Sequence, residues 1–125
     1  MLILSSTDVD ALVAGISPNE LSQLMAMVFR RVSENSGIEM PHRLSIRTES
    51  RYTLFMPSRV ETFGTAVKIV SVPTSERSNG LPATTLVVDE ASGGVKAVVN
   101  ARNLTAIRTA AGVSNRLITR ETNFS

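Results

Sequence analysis

The chain has 125 residues, enough for one compact domain and too few for two ordinary ones. With 42% hydrophobic and 19% charged residues it has the composition of a folded globular protein, and a formal net charge of only +2 argues against nucleic acid as a partner. It has no cysteine, which excludes disulfides, a thiol nucleophile and thiolate metal ligation, and one histidine, His42, which cannot build a typical zinc site alone.

Leu2, Ile3 and Leu4 read as a short strand. Asp8 and Asp10 interrupt the apolar start too early for a signal peptide or a membrane span, so a cytoplasmic protein without membrane contact is expected. Ser5-Ser6-Thr7-Asp8 offers cap oxygens for a helix over Val9 to Ala14, which Gly15 ends. Ser17-Pro18-Asn19-Glu20 is a second start, with serine at the cap, proline in the first turn and glutamate placed to close a capping box. Leu21, Leu24, Met25, Val28, Phe29 and Val32 recur at helical spacing to about Asn35, forming a stripe for a core or a subunit interface.

After Gly37 the texture becomes that of strands, with runs at about His42 to Thr48, Tyr52 to Pro57, Thr65 to Val72, Ala83 to Asp89 and Val95 to Asn100. Ser92-Gly93-Gly94 punctuates the last pair as a hairpin would, with Asp89-Glu90 read as turn chemistry, and Pro73 to Pro82 reads as a longer polar loop. From Asn103 the chain turns helical again through Leu104, Ile107, Ala110 and Ala111. The expected fold is α+β: N-terminal helices, a five- to six-stranded mostly antiparallel sheet and a C-terminal helix. No Gly-x-Gly-x-x-Gly follows a strand, so a Rossmann domain is absent from the reading.

Three cations stand out by placement. Arg43 opens a strand, Lys68 lies inside Ala66-Val67-Lys68-Ile69-Val70, and Arg108 sits among small residues of the last helix. A charge in such a setting must be paired, reach water along its own stem, or face a polar cavity. Strand alternation allows Lys68 to point to solvent between inward-facing Val67 and Ile69. The other reading is a cationic pocket: arginine offers a planar fork for a carboxylate and lysine a mobile donor, so the three together would bind an amino or keto acid.

The order of motifs adds to this. Pro41-His42-Arg43, Met56-Pro57, Val67-Lys68, Gly80-Leu81-Pro82, Asp89 to Gly94 and Leu104-Thr105-Ala106-Ile107-Arg108-Thr109-Ala110-Ala111 resemble the ornithine cyclodeaminase/mu-crystallin family from about Leu2 to Ser114. The resemblance implies an N-terminal domain over residues 1–114, which dimerises through its strands and supplies cations to a cleft shared with a Rossmann domain, and a divergent tail over 115–125. It assigns the substrate carboxylate to Arg43, Lys68 and Arg108, with Lys68 also catalytic. It further implies NAD or NADP in the full-length family, no cofactor for this chain alone, and a homodimer.

Three departures qualify it. Ornithine-cyclising members carry an acid two positions before Met-Pro, where this chain has Leu54. Many members follow Gly-Leu-Pro with a hydroxyl residue, where this chain has Ala83. After Ser114 the family continues into its glycine-rich domain and catalytic aspartate, which have no counterpart here. The expectation is a truncated member, inactive alone, keeping the carboxylate-binding half of an NAD(P)-dependent amino-acid or imino-acid enzyme; a non-enzymatic dimerising or small-ligand-binding protein is the alternative.

Overall fold

The structure, a computed structural model, describes residues 1–75 and 81–104. The elements run β1 (Leu2–Leu4), α1 (Ser6–Ala14), α2 (Pro18–Glu34), β2 (Ile38–Glu39), β3 (Leu44–Arg47), β4 (Arg51–Val60), β5 (Gly64–Pro73), β6 (Ala83–Val88) and β7 (Val95–Asn100). The strands form one mixed sheet of order β1-β7-β6-β5-β4-β2, with β3 also paired to β4. Every pairing is antiparallel except β1 with β7. The fold is therefore the expected α+β type, with seven strands instead of five or six; the extra one is the two-residue β2, too short to show a period in sequence. Residues 102–104 open a helical turn, and the rest of the expected C-terminal helix lies outside the described residues.

Both helices start on reciprocal caps. Ser17 Oγ accepts from the Glu20 amide at 3.1 Å while Glu20 Oε2 accepts from the Ser17 amide at 3.2 Å, the capping box read in the sequence. Ser5 and Asp8 do the same, so α1 begins at Ser6, three residues before the expected start. The Ser5 amide and hydroxyl donate to the Asp8 carboxylate and hold its pKa below the ordinary value. On α2 the inward side is Leu21, Met25 and Val28, with Met25 buried, while Leu24, Phe29 and Val32 flank it half exposed. Asn35 ends α2 in the left-handed conformation, its amide reaching the carbonyls of Arg31 and Val32.

Strand β4 runs three residues beyond its expected end, through Pro57. Proline cannot donate to a ladder and is excluded from strands paired on both sides. On one side β4 pairs β5 throughout; on the other, β3 covers Tyr52 to Phe55 and β2 covers Arg59 and Val60, so Met56, Pro57 and Ser58 face a gap. The proline sits where no partner strand is asking for its N–H, and the segment Met40 to Arg43 leaves the sheet there.

Cross-strand partners project to the same face, so the register sorts the sheet into two sides. One face carries the rows Ser45-Leu54-Val70-Ala83, Met56-Lys68-Thr85-Val99-Leu4 and Ser58-Ala66-Val87-Ala97-Leu2. Val70, Ala83 and Ala97 on this face are buried, and Ala101 and Leu104 pack against Val70 and Ala83. Asn103 donates to Asp10 Oδ1 at 3.0 Å, which ties α1 to the same end. The other face carries Leu44-Phe55-Ile69-Thr84 and Pro57-Val67-Leu86-Val98, apolar rows on which Leu44 is 68% exposed.

Candidate functional site

Lys68 stands in the middle of β5, directly opposite Met56 on β4 and Thr85 on β6, and is half-buried. Its neighbours along the strand on the same face are Ala66 and Val70. Lys68 shares its face with the buried Val70, Ala83 and Ala97, while Val67, Lys68 and Ile69 are all half-buried. Period two tells which residues oppose each other across the sheet but not which face is covered, and here the cover comes from Ala101 and Leu104, over thirty residues away.

Arg43 is exposed and immediately precedes β3. The β3–β4 register ends at Leu44 with Phe55, so Arg43 lies just outside the ladder and pairs with no residue of β4, while Met56 pairs with Lys68. Met56, Lys68 and Thr85 follow one line across the sheet. Arg108 lies outside the described residues. The last described residue, Leu104, packs on Val70 and Ala83, on the face that carries Lys68.

Another cation on the Lys68 face escaped the sequence reading. Arg47 pairs in register with Tyr52 and holds its guanidinium 5.3 Å from that ring's centroid, a cation–π contact at the far end of β3. Its signal, a cation five residues before a tyrosine, becomes meaningful only once the β3–β4 register is known.

The acids of the sheet lie elsewhere. Glu90, read in sequence as part of a turn, accepts from Arg59 Nε at 2.9 Å, from Arg59 Nη2 at 3.4 Å and from Thr65 Oγ1 at 2.7 Å. The Arg59 side chain first, and then the Thr65 hydroxyl, hold the Glu90 carboxyl below its ordinary pKa, and Glu90 in turn raises Arg59. Arg59 pairs with Thr65 and with Glu39, so this cluster belongs to the face away from Lys68. Asp89, as read, serves the turn: its Oδ1 accepts from the Ala91 amide at 2.9 Å, with Gly93 at φ 78°. Among the described residues no group of three His, Asp or Glu side chains could hold a metal ion, and no helix is long and apolar enough to cross a membrane.

Such an architecture defines a class: an α+β domain built on one mixed, mostly antiparallel sheet. The model of the ornithine cyclodeaminase/mu-crystallin family matches residues 3–122, and the chain belongs to that family. Among solved structures it is similar to the Δ1-pyrroline-2-carboxylate reductase of Thermococcus litoralis, solved with NADH and L-proline, at 28% identity and a TM-score of 0.77, covering 90% of this chain and 36% of that one. An archaeal alanine dehydrogenase dimer with bound NAD (23% identity, TM-score 0.74, covering 89% and 34%) shares the fold. So does a probable ornithine cyclodeaminase from Bordetella pertussis Tohama I (19%, TM-score 0.69, covering 89% and 33%). The chain spans about a third of the length of these structures. Among curated protein sequences nothing matches.

A dinucleotide needs a glycine-rich turn that leads from a strand into a helix N-terminus, where amides take the pyrophosphate. Among the described residues the glycines at positive φ are Gly37 between α2 and β2, Gly64 at the start of β5 and Gly93 in the β6–β7 turn, and none of them opens a helix. The described residues do not fit the phosphates of such a cofactor, and no hydride step is assigned to them.

Proposed function

We propose that this chain is the carboxylate-binding half of an NAD(P)-dependent amino-acid or imino-acid enzyme of its family, with Arg43, Lys68 and Arg108 holding the substrate carboxylate. Arg43 and Arg108 grip the carboxylate through paired N–H donors, and Lys68 donates to it or to the neighbouring carbonyl or imine group, which is its catalytic part. The observation that supports this reading is the place of Lys68 between Met56 and Thr85, on the face of the sheet that carries the buried Val70 and Ala83.

NAD or NADP is the cofactor of the whole enzyme, and the residues described here contribute the carboxylate side of its site. It acts as a homodimer through the apolar face opposite Lys68, where exposed Leu44 and Ile46 offer surface for a second copy.

The test is a titration of the isotope-labelled chain with pyruvate, followed by nuclear magnetic resonance, beside the Lys68→Met variant. Pyruvate in the millimolar range is expected to shift the amides of Met56, Lys68 and Thr85 in the wild type and to leave the variant unmoved. Equal binding by the variant, or shifts confined to the opposite face, would remove the site.

A further inference from the structure

We infer that Asp10 and Ser6 are positioning residues for the carboxylate site: through Asn103 they fix the point from which the chain sets out from β7 toward Arg108. The inference rests on the carboxylate site proposed above and adds two residues that touch no part of the substrate.

Asp10 reads in the sequence only as a charge that interrupts an apolar start, and Ser6 only as one of several cap oxygens. The cap itself is made by Ser5, whose hydroxyl accepts from the Asp8 amide, which leaves Ser6 and Asp10 outside it. Four residues apart on α1, they lie on one side of the helix, one turn from each other. Both accept from the same nitrogen: Asn103 Nδ2 donates to Asp10 Oδ1 at 3.0 Å and, more weakly, to Ser6 Oγ at 3.5 Å. A primary amide carries two N–H groups, one for each acceptor, so the pair fixes the direction of the Asn103 side chain as well as its distance.

The helix that supplies these acceptors is itself held to β7. Val9 on α1 is 3% exposed, and β1, which runs into α1, pairs with β7 from Leu2 with Ala97 to Leu4 with Val99. The segment that receives the tie is short. The Ala101 amide donates to the Ala83 carbonyl at 2.9 Å, the Arg102 amide donates to Asn100 Oδ1 at 3.2 Å, and Leu104 packs against the cluster of Val70, Ala83 and Ala101. Arg108 follows Leu104 by four residues, a reach of at most roughly 14 Å. An arginine so near its last anchor inherits the place of that anchor, and a misplacement of about 1 Å is enough to degrade its grip on a carboxylate.

Pyruvate titrated into the isotope-labelled full chain and its variants, read from amide resonances, tests this. Asp10→Ala is expected to weaken binding by about threefold to tenfold, the range that the loss of one such hydrogen bond can transmit. Asp10→Asn keeps an oxygen acceptor at the same place and is expected to stay within about twofold of wild type. Ser17→Ala, which loosens the fold at α2 instead, is expected to bind as wild type does. In an Arg108→Ala background Asp10→Ala is expected to cost nothing further, because its influence passes through the side chain already removed. Should Asp10→Ala not fold, Asn103→Ala takes its place; should Arg108→Ala bind too weakly to measure, Asp10→Asn and Ser17→Ala decide. Wild-type affinity in Asp10→Ala, an equal loss in Asp10→Asn or Ser17→Ala, or an undiminished loss in the Arg108→Ala background would overturn this inference and leave the carboxylate site standing. Pyruvate that fails to bind the wild type, or binds it and Lys68→Met equally, would overturn both.

Discussion

Replacing Thr62 by glycine is expected to stabilise the domain. The Phe63 amide donates to the Val60 carbonyl at 2.9 Å, which makes Val60 to Phe63 a β-turn with Glu61 and Thr62 at its centre. Thr62 has φ 75° and Glu61 is not among the residues of positive φ, so the turn has the type II pattern, whose third position asks for glycine or asparagine. A β-branched residue held there costs about 1–2 kcal/mol, while glycine adds roughly 0.5–1 kcal/mol of backbone entropy to the unfolded chain. The balance is a gain of about 0.5–1 kcal/mol, or a rise in Tm of roughly 2–6 °C for a domain of this size. Thermal unfolding followed by circular dichroism reads it directly, with Thr62→Asn expected between wild type and glycine. An unchanged or lowered midpoint for Thr62→Gly would mean that contacts of the threonine side chain outweigh the backbone strain.

Ser17→Ala removes one arm of the capping box at the start of α2 and is expected to lower stability by about 1 kcal/mol, measured by urea unfolding. The Glu90 carboxyl, held below its ordinary pKa chiefly by Arg59, contributes stability that is fully present above its unfolded-state value and is lost as pH falls through the lower folded-state value. Wild type and Glu90→Gln should therefore differ in stability near neutral pH and converge in acid, below the usual carboxylate range; a gap that persists undiminished there would refute the linkage.

What could be read from the sequence was mostly what a few neighbouring residues decide. The Ser17–Glu20 box and the Asp89 to Gly94 turn are each set within a handful of positions, and each stands where it was expected. The extension of β4 through Pro57 could not be read, because it depends on where β2 and β3 part from it. The role of Glu90 was hidden for the same reason: its partners are 31 and 25 residues away. The face of Lys68 is the most instructive case, since alternation separates it from Val67 and Ile69 but does not tell that its face also carries the cluster of Val70, Ala83 and the distant Ala101. Arg43 was legible as a cation at a strand start, and it immediately precedes β3. Arg108 was named from the sequence and lies outside the described residues.

The most direct test of the carboxylate site is a crystal structure of the chain grown or soaked with pyruvate. The expected result is a carboxylate over the Met56-Lys68-Thr85 row, its oxygens roughly 2.7–3.2 Å from Lys68 Nζ and from the guanidinium groups of Arg43 and Arg108. Pyruvate bound on the opposite face, or Arg43 and Lys68 turned to separate surroundings with the anion absent between them at saturating concentration, would contradict it.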